Sequence, residues 1–244
     1  MGAETNFPGD VHGYDASGNQ VDLKDPYKHK VADNRHGDWY EYVDSFTRAT
    51  NTTFTVTDNT TNEEIFSRGT PLRFRGTGNE WSKYAIVTGY SSGTVTISGG
   101  TMTTSDDDEM WFGSSSLVKS ETFFISGTFG DGTSTGLLTE DENRNYRWPY
   151  GPAAIVRTSH IVETNDSGTQ PTINIQRSGN DVYTSADATS TSWQEFGTPD
   201  HDEYGIGMND SLDISCAAAG GTGDAADLTV IVTFVMGEVY VIPA

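Results

Sequence analysis

Basic side chains are scarce in this sequence. Fourteen Lys and Arg, five of them Lys, stand against thirty-five Asp and Glu, which gives a formal net charge of −21 over 244 residues. The chain therefore has no basic stripe that would displace counterions from phosphates. We expect no nucleic-acid partner.

Cysteine and long apolar runs are also missing. Cys216 is the single cysteine, so an intrachain disulfide is excluded, and its setting predicts a buried, inert thiol in a strand. No stretch approaches the ~20 apolar residues of a membrane helix, and the first residues lack the basic and apolar regions of a signal peptide. We expect a soluble chain with no membrane partner, made in a cytoplasm.

Motifs that carry catalysis are absent as well. Neither Gly-x-Ser-x-Gly nor a phosphate-binding Gly-x-x-x-x-Gly-Lys loop occurs, and the five histidines show no partner spacing. Carboxylates do lie near aromatic residues, as Glu195 lies near Trp193, but thirty-five acids make such neighbours common. We expect a protein that is not an enzyme, with no catalytic, cofactor-binding or metal-ligating residues and no cofactor.

Two acidic runs leave an alternative open. Carboxylates such as those of Asp106–Glu109 can wrap a divalent cation, although the spacing of an EF-hand loop is missing and a solvated turn is the simpler interpretation. The run Asp200–Glu203 adds His201, but no second and third ligand at zinc-site spacing follows. A plain surface loop is expected there.

The large negative charge points to a salty habitat. Like charges repel within a compact domain, and at 1 M salt the screening length falls to roughly 3 Å, which removes most of that repulsion. A surface rich in short carboxylates and poor in Lys is thus suited to concentrated salt. An ordinary acidic secreted or viral surface protein is the alternative.

Thr, Gly, Val and aromatic residues dominate, which favours β structure. After an irregular arm over residues 1–43, the pattern predicts a small β-barrel over 44–118. Its strands include Thr53–Thr57, Gly69–Arg75 and Tyr84–Thr88, and a hairpin is expected at the turn Ser91–Gly93.

Residues 119–244 predict a jelly-roll-like antiparallel β-sandwich with an apolar C-terminal tail, Val239–Ala244. The strands expected here are Glu121–Ser126, Ala154–Val162, Thr172–Gln176, Val182–Thr184, Trp193–Phe196, Ser211–Cys216 and Leu228–Val235. The one candidate helix is short, around Leu137–Glu142, and a loop is the alternative.

Two segments stand out as contact candidates. The arm gathers the basic residues and histidines between Lys24 and His36, which either dock on an acidic neighbour or form a solvated segment. The loop Arg144–Pro152 combines two Arg with three aromatics, a composition typical of interfaces. Self-packing of this loop under the sandwich is equally consistent with the sequence, and stacking of its aromatics on sugar is a further alternative.

Certain of these segments resemble a known family. Val43–Asp58, Gly69–Arg75 and Tyr84–Tyr90 resemble a small β-barrel module of tailed-virus virion proteins. Asn209–Ser215 and Ala226–Phe234 are similar to the sandwich modules of viral head fibres, turrets and tail-tip proteins. The resemblance rests on strand and turn patterns, implies homo-oligomers that are often trimeric, and carries no catalytic residue.

Acidity and resemblance together predict a structural protein on the virion surface. The expected role is a capsid decoration or turret component of a tailed virus of a halophilic, archaeal host. We expect the chain to contact itself as a trimer and to contact other virion proteins such as the major capsid protein, and to lie in the host cytoplasm only during assembly. Alternatives are a tail-tip or fibre protein that binds host surface glycans, and a secreted acidic carbohydrate-active protein.

Overall fold

The computed structural model describes most of the chain. The described residues are 12–14, 20–22, 39–75, 83–102, 109–129, 135–136, 146–164, 172–183, 186–187, 190–200, 204–217 and 225–237. None of the helices in these ranges is long and apolar enough to cross a membrane.

In the described residues, strands make up nearly all of the regular structure, together with one short α-helix and one 3-10 turn. In chain order the elements are β1 His12–Tyr14, β2 Gln20–Asp22, β3 Trp39–Glu41, β4 Thr47–Arg48, β5 Thr53–Thr55, α1 Thr60–Ile65, β6 Pro71–Arg75, β7 Lys83–Ser91, β8 Thr94–Gly99, β9 Glu109–Gly113, the 3-10 turn Ser115–Leu117, β10 Val118–Phe129, β11 Thr135–Gly136, β12 Tyr146–Arg147, β13 Ala153–Thr164, β14 Thr172–Arg177, β15 Asn180–Asp181, β16 Ala186–Asp187, β17 Gln194–Glu195, β18 Gly205–Ile206, β19 Ser211–Ala217 and β20 Ala225–Met236. All of their pairings are antiparallel. The predicted all-β class is confirmed.

The first half forms one seven-stranded sheet, called here the first sheet, in the order β3-β9-β6-β7-β8-β5-β4. The predicted hairpin is confirmed, since Ser91 pairs with Thr94 across a two-residue turn. Both turn residues, Ser92 and Gly93, have positive φ, the conformation of the turn that matches strand twist. A side chain at Gly93 would lie 2.6 Å from the Val56 carbonyl oxygen, so glycine is needed there.

Strand β7 divides its side chains between two cores. Tyr84 and Ile86 belong to the core of the sandwich, while Ala85 and Val87 belong to the core of the first sheet. Successive residues of a strand point to opposite faces, so a strand covered on both sides needs an unbroken apolar run.

Helix α1 closes one face of the first sheet. The Asn59 side chain accepts from the Asn62 backbone N–H and caps the helix, and the helix residue Ile65 joins Phe66 in the core of this sheet. The buried Asn62 amide donates to the Thr57 carbonyl oxygen at 2.8 Å and accepts from the Tyr42 hydroxyl at 3.2 Å. These bonds satisfy a polar side chain inside an apolar core.

The second half is a sandwich of two sheets. The long sheet has the order β10-β20-β13-β17, with β18 also paired to β13; the short sheet has the order β11-β19-β14-β15, with β12 on β19 and β16 on β14. Alternate residues such as Ile155, Val230, Ile175 and Ile214 meet in one buried core. The predicted antiparallel sandwich is confirmed.

Both long strands that flank β20 carry an irregularity. On β13 the register with β20 shifts between Ile155 and Arg157, and on β10 it shifts between Ile125 and Thr128. β10 lies at the edge of the long sheet and, among the described strands, pairs with β20 alone. The extra residue of a bulge kinks a strand and redirects its side chains.

The first sheet packs on part of the outer face of the long sheet. The Ser98 hydroxyl donates to the Val156 carbonyl oxygen at 2.8 Å, and the Tyr84 backbone N–H donates to the Tyr204 hydroxyl at 3.2 Å. Tyr84 also meets Trp39 edge-to-face, with ring centroids 5.8 Å apart. The two halves of the chain therefore share one apolar core.

Three details differ from the sequence-based expectations. The first sheet is open, not a barrel, because its end strands β3 and β4 do not pair with each other in the described part of the chain; α1 and the sandwich bury its two faces without closure. β3 and the β1–β2 hairpin fall within the expected arm 1–43. Of the expected strand Val182–Thr184, the described Val182 and Tyr183 form a bend, because the Val182 carbonyl oxygen accepts from Asp200.

Helix α1 was not expected, although Asn59 supplies a cap signal. The candidate helix Leu137–Glu142, the basic cluster from Lys24 to His36 and the tail Val239–Ala244 lie outside the described residues.

Replacing Gly237 tests the contact between the two halves. A Cβ atom at Gly237 would lie 2.6 Å from the buried Tyr84 ring, whereas a Cβ atom at Gly151 would meet nothing within 4 Å. We expect Gly237→Ala to lower the free energy of unfolding by about 1–3 kcal/mol through overpacking, and Gly151→Ala to change it little. Denaturant titration measures both, and equal stabilities for the two variants would contradict this packing.

Candidate functional site

The acidic runs do not form a described metal site. The first run has Asp106, Asp107 and Asp108 outside the described residues, and the second has His201, Asp202 and Glu203 outside them. Only Glu109 and Asp200 are placed. In the described ranges no three His, Cys, Asp or Glu side chains come together in a way that could hold a metal ion.

The loop expected to form contacts is anchored in the sandwich by Trp148. This side chain is fully buried, and its ring stacks on Phe234 with centroids 4.2 Å apart. The indole N–H donates to the Gly151 carbonyl oxygen at 2.7 Å, so its polar group is also satisfied. For Trp148 the self-packing alternative holds. Arg144 lies outside the described residues.

Other side chains of the same region remain at the surface. Tyr150 is 40% exposed and Met208 is 61% exposed. Arg147 is exposed and donates to the Asn209 carbonyl oxygen at 3.1 Å, and the Lys119 ammonium lies 6.0 Å from the centre of the Tyr150 ring. We call these four residues, Lys119, Arg147, Tyr150 and Met208, the Tyr150 surface.

A tight turn holds Met208 beside the loop. The Gly207 N–H donates to the Asp210 carboxylate at 2.8 Å, and Asn209 adopts a positive φ of 70°. Trp148 exchanges two backbone hydrogen bonds with this turn: its N–H donates to the Asp210 carbonyl oxygen at 3.0 Å, and its carbonyl oxygen accepts from the Asn209 N–H at 2.9 Å. The Tyr150 surface is therefore built on rigid backbone and combines two cations with two apolar side chains on a strongly acidic chain.

Tyr146 connects this surface to the sandwich. Its ring packs edge-to-face on Phe123, with centroids 5.3 Å apart. Burial, followed by the nearby Glu121 carboxylate, raises the pKa of Tyr146 to about 12. Burial also raises the pKa of Asp213, an effect that the nearby Arg147 opposes.

A second surface lies on the part of the long sheet that the first sheet leaves uncovered. Phe124 is 57% exposed, and the strand pairings place it beside Thr229 and then Ile161. Continuing the register of β17 by one residue sets Trp193, which is 49% exposed, opposite Ile161. We call this line across four strands, Phe124, Thr229, Ile161 and Trp193, the aromatic row.

The neighbouring line on the same face is polar. Thr122, Ile231, Ser159 and Glu195 pair in succession. Arg157, which follows the bulge, forms a two-pronged ion pair with Glu195, with Nε to Oε2 at 2.7 Å. The hydrogen bonds to Glu195 raise the pKa of Arg157. The charges of Arg157 and Glu195 thus neutralise each other.

The sequence interpretation named part of these surfaces only. It placed Glu195 near Trp193 as one of many carboxylate–aromatic neighbours, and it did not single out Phe124. One signal was available: in the adjacent pair Phe123 and Phe124 of a predicted strand, one ring has to face away from the core. The pairing of four distant strands into one line had no local signal.

No protein-family model and no curated protein sequence matches the chain. Among solved structures, BpGH86A, a beta-porphyranase of glycoside hydrolase family 86 from the human gut bacterium Bacteroides plebeius, aligns with 82% of this chain and 37% of its own, at 11% identity and a TM-score of 0.24. A chain of infectious bursal disease virus, Gx strain, aligns with 94% of this chain and 64% of its own, at 10% identity and a TM-score of 0.27. This chain spans less than two thirds of either, and likenesses at these TM-scores carry no argument about its function.

The pKa of Tyr146 predicts how stability changes in alkali. Its pKa is raised on folding, so its contribution is fully present below the ordinary value of about 10 and is lost as the pH rises toward about 12. We expect Tyr146→Phe to lose less unfolding free energy than wild type between about pH 9 and pH 11.5. Glu121→Gln, which removes the neighbouring charge, should shift the same way by a smaller amount.

Denaturant titration at several pH values measures these losses. Tyrosinate absorbance of the folded proteins serves as the check that the delayed ionisation belongs to Tyr146. Identical pH profiles for wild type and both variants would contradict the assignment.

Proposed function

We propose that this chain is a structural protein of a virus particle, and that it acts as a capsid decoration or turret component of a tailed virus with a halophilic, archaeal host. It is displayed on the virion surface after assembly in the host cytoplasm and is not an enzyme. The support comes from the acidic composition, the all-β build and the resemblance of its strand and turn patterns to virion modules.

The observation that carries the proposal is the Tyr150 surface. Apolar side chains held rigidly at a surface, with Arg beside them, are the residue types enriched at the centre of protein interfaces. Lys119 and Arg147 also place two cations at this surface of a chain of net charge −21, where they can pair with carboxylates of a neighbouring subunit or capsid protein. We infer that Tyr150 and Met208 fill the contact with the next subunit in a homo-oligomer, with a trimer favoured.

A tail-tip or fibre protein that binds host glycans is the second candidate. The exposed Trp193 and Phe124 favour it, because large apolar rings are seldom left at the surface in one line without a partner.

The proposed function is tested by the native mass. Light scattering in about 2 M salt, where surface repulsion is screened, should give a defined oligomer, and dilute buffer should weaken or unfold it. Tyr150→Asp should shift the high-salt protein toward monomer, since a charge at an interface centre costs about 2 kcal/mol or more. The control Val43→Asp, at a 55% exposed site on the first half, should leave the mass unchanged.

A folded monomer in both buffers would overturn the assembly proposal. An oligomer that Tyr150→Asp leaves intact would show that the subunits meet elsewhere, which contradicts the role given to the Tyr150 surface.

A further inference from the structure

We propose that the aromatic row is a binding site for a neutral oligosaccharide. The site runs across β10, β20 and β13 to the residue just before β17, with Phe124 at one end and Trp193 at the other. It lies on the outer face that the first sheet leaves open, so a ligand reaches it without any change in the fold.

The two rings set the length of the site. Three strand spacings of about 4.8 Å separate Phe124 from Trp193, so the rings are roughly 14 Å apart. A short oligosaccharide of a few sugar rings covers this span. The C–H groups on one face of a sugar carry slight positive charge and pack favourably on the negative face of an aromatic ring, and the partly exposed Ile161 continues the apolar floor between the rings.

The groups beside the rings can form hydrogen bonds with the hydroxyl groups of a sugar. Thr229 lies within the row, and Thr122 and Ser159 lie in the neighbouring line on the same face. Each hydroxyl both donates and accepts hydrogen bonds, as sugar hydroxyls require. The Arg157–Glu195 pair borders the row and holds a donor and an acceptor in fixed positions.

Charge decides between neutral and charged ligands. The Arg157–Glu195 pair is neutral on one side of the row, and the exposed Glu163, two residues after Ile161 on the same strand face, adds a negative charge on the other side. A sulfated polysaccharide finds the Arg157 guanidinium already paired with Glu195, so its sulfate groups would lose water without gaining a cation, a cost that salt does not remove. An uncharged saccharide avoids this cost.

Area argues against a second copy of the chain as the occupant. The exposed patch is three strand spacings wide and two to three side-chain rows long, so its area is roughly 200 Å². A stable interface needs about 800 Å² from each partner.

The saccharide site deepens the second candidate function, the glycan-binding fibre protein, and does not rest on the first, since a decoration protein can carry the site as well. The two surfaces also give separate readouts. Tyr150→Asp should change the native mass and leave saccharide binding intact, and Trp193→Ala should do the reverse.

The test is calorimetric titration of the full chain with cellohexaose, laminarihexaose, mannohexaose and a sulfated galactan oligosaccharide, in about 2 M salt, where surface charge is screened. We expect wild type to bind at least one neutral hexaose and to bind the sulfated probe more weakly. Trp193→Ala and Phe124→Ala should each raise the Kd at least about fivefold, in line with the loss of one ring contact. Val43→Ala removes an equally exposed apolar side chain on the other half and should leave the Kd unchanged.

The side chains of Phe124 and Trp193 are exposed, so both alanine variants should keep the unfolding midpoint of the wild type, which circular dichroism measures. Three results would overturn the proposal: no binding of any neutral hexaose, binding that neither ring variant weakens, or preferred binding of the sulfated probe. A fall in native mass for Trp193→Ala would also overturn it, because the row would then be a subunit contact.

Discussion

The burial of strand β7 on both of its faces is the constraint on which the rest of the structure depends. Tyr84 and Ile86 on one face and Ala85 and Val87 on the other tie two separate cores to a single run of sequence. Because this strand has to be covered twice, the first sheet stays open and lies against the sandwich. That packing in turn covers only part of the long sheet, and the uncovered part becomes the surface available for binding.

Local sequence signals predicted the elements better than their arrangement. The run Tyr84–Thr88 and the turn at Gly93 mark a hairpin, because apolar content and positive φ are properties of a few neighbouring residues. Whether that hairpin closes a barrel or joins an open sheet depends on what covers its faces, which involves residues as distant as Val156 and Tyr204. The sequence pattern did not predict the short helix α1, because six residues are too few to show a helical periodicity.

The same distinction applies to the candidate surfaces. The loop around Trp148 was noticed for its composition, but the sequence does not reveal that one of its rings enters the core while Tyr150 stays outside, because Phe234 supplies the stacking partner. The aromatic row is harder still to foresee, as Phe124 and Trp193 become neighbours only through the pairing of β10, β20, β13 and β17. The chain therefore combines a strongly acidic surface, which repels other copies of itself, with small exposed aromatic patches whose contacts do not depend on charge.

The register shift within β10 has a consequence for solubility. Within the described part of the chain, β10 presents an edge of twelve residues without a second neighbouring strand. Such an edge is a template for joining sheets between molecules, and like charge is one of the means by which proteins prevent it. Concentrated salt relieves the crowding of thirty-five acids within the fold, yet it also screens the repulsion between molecules. The irregularity between Ile125 and Thr128 interrupts the edge by shape. It is therefore a safeguard against aggregation that no concentration of salt can screen away.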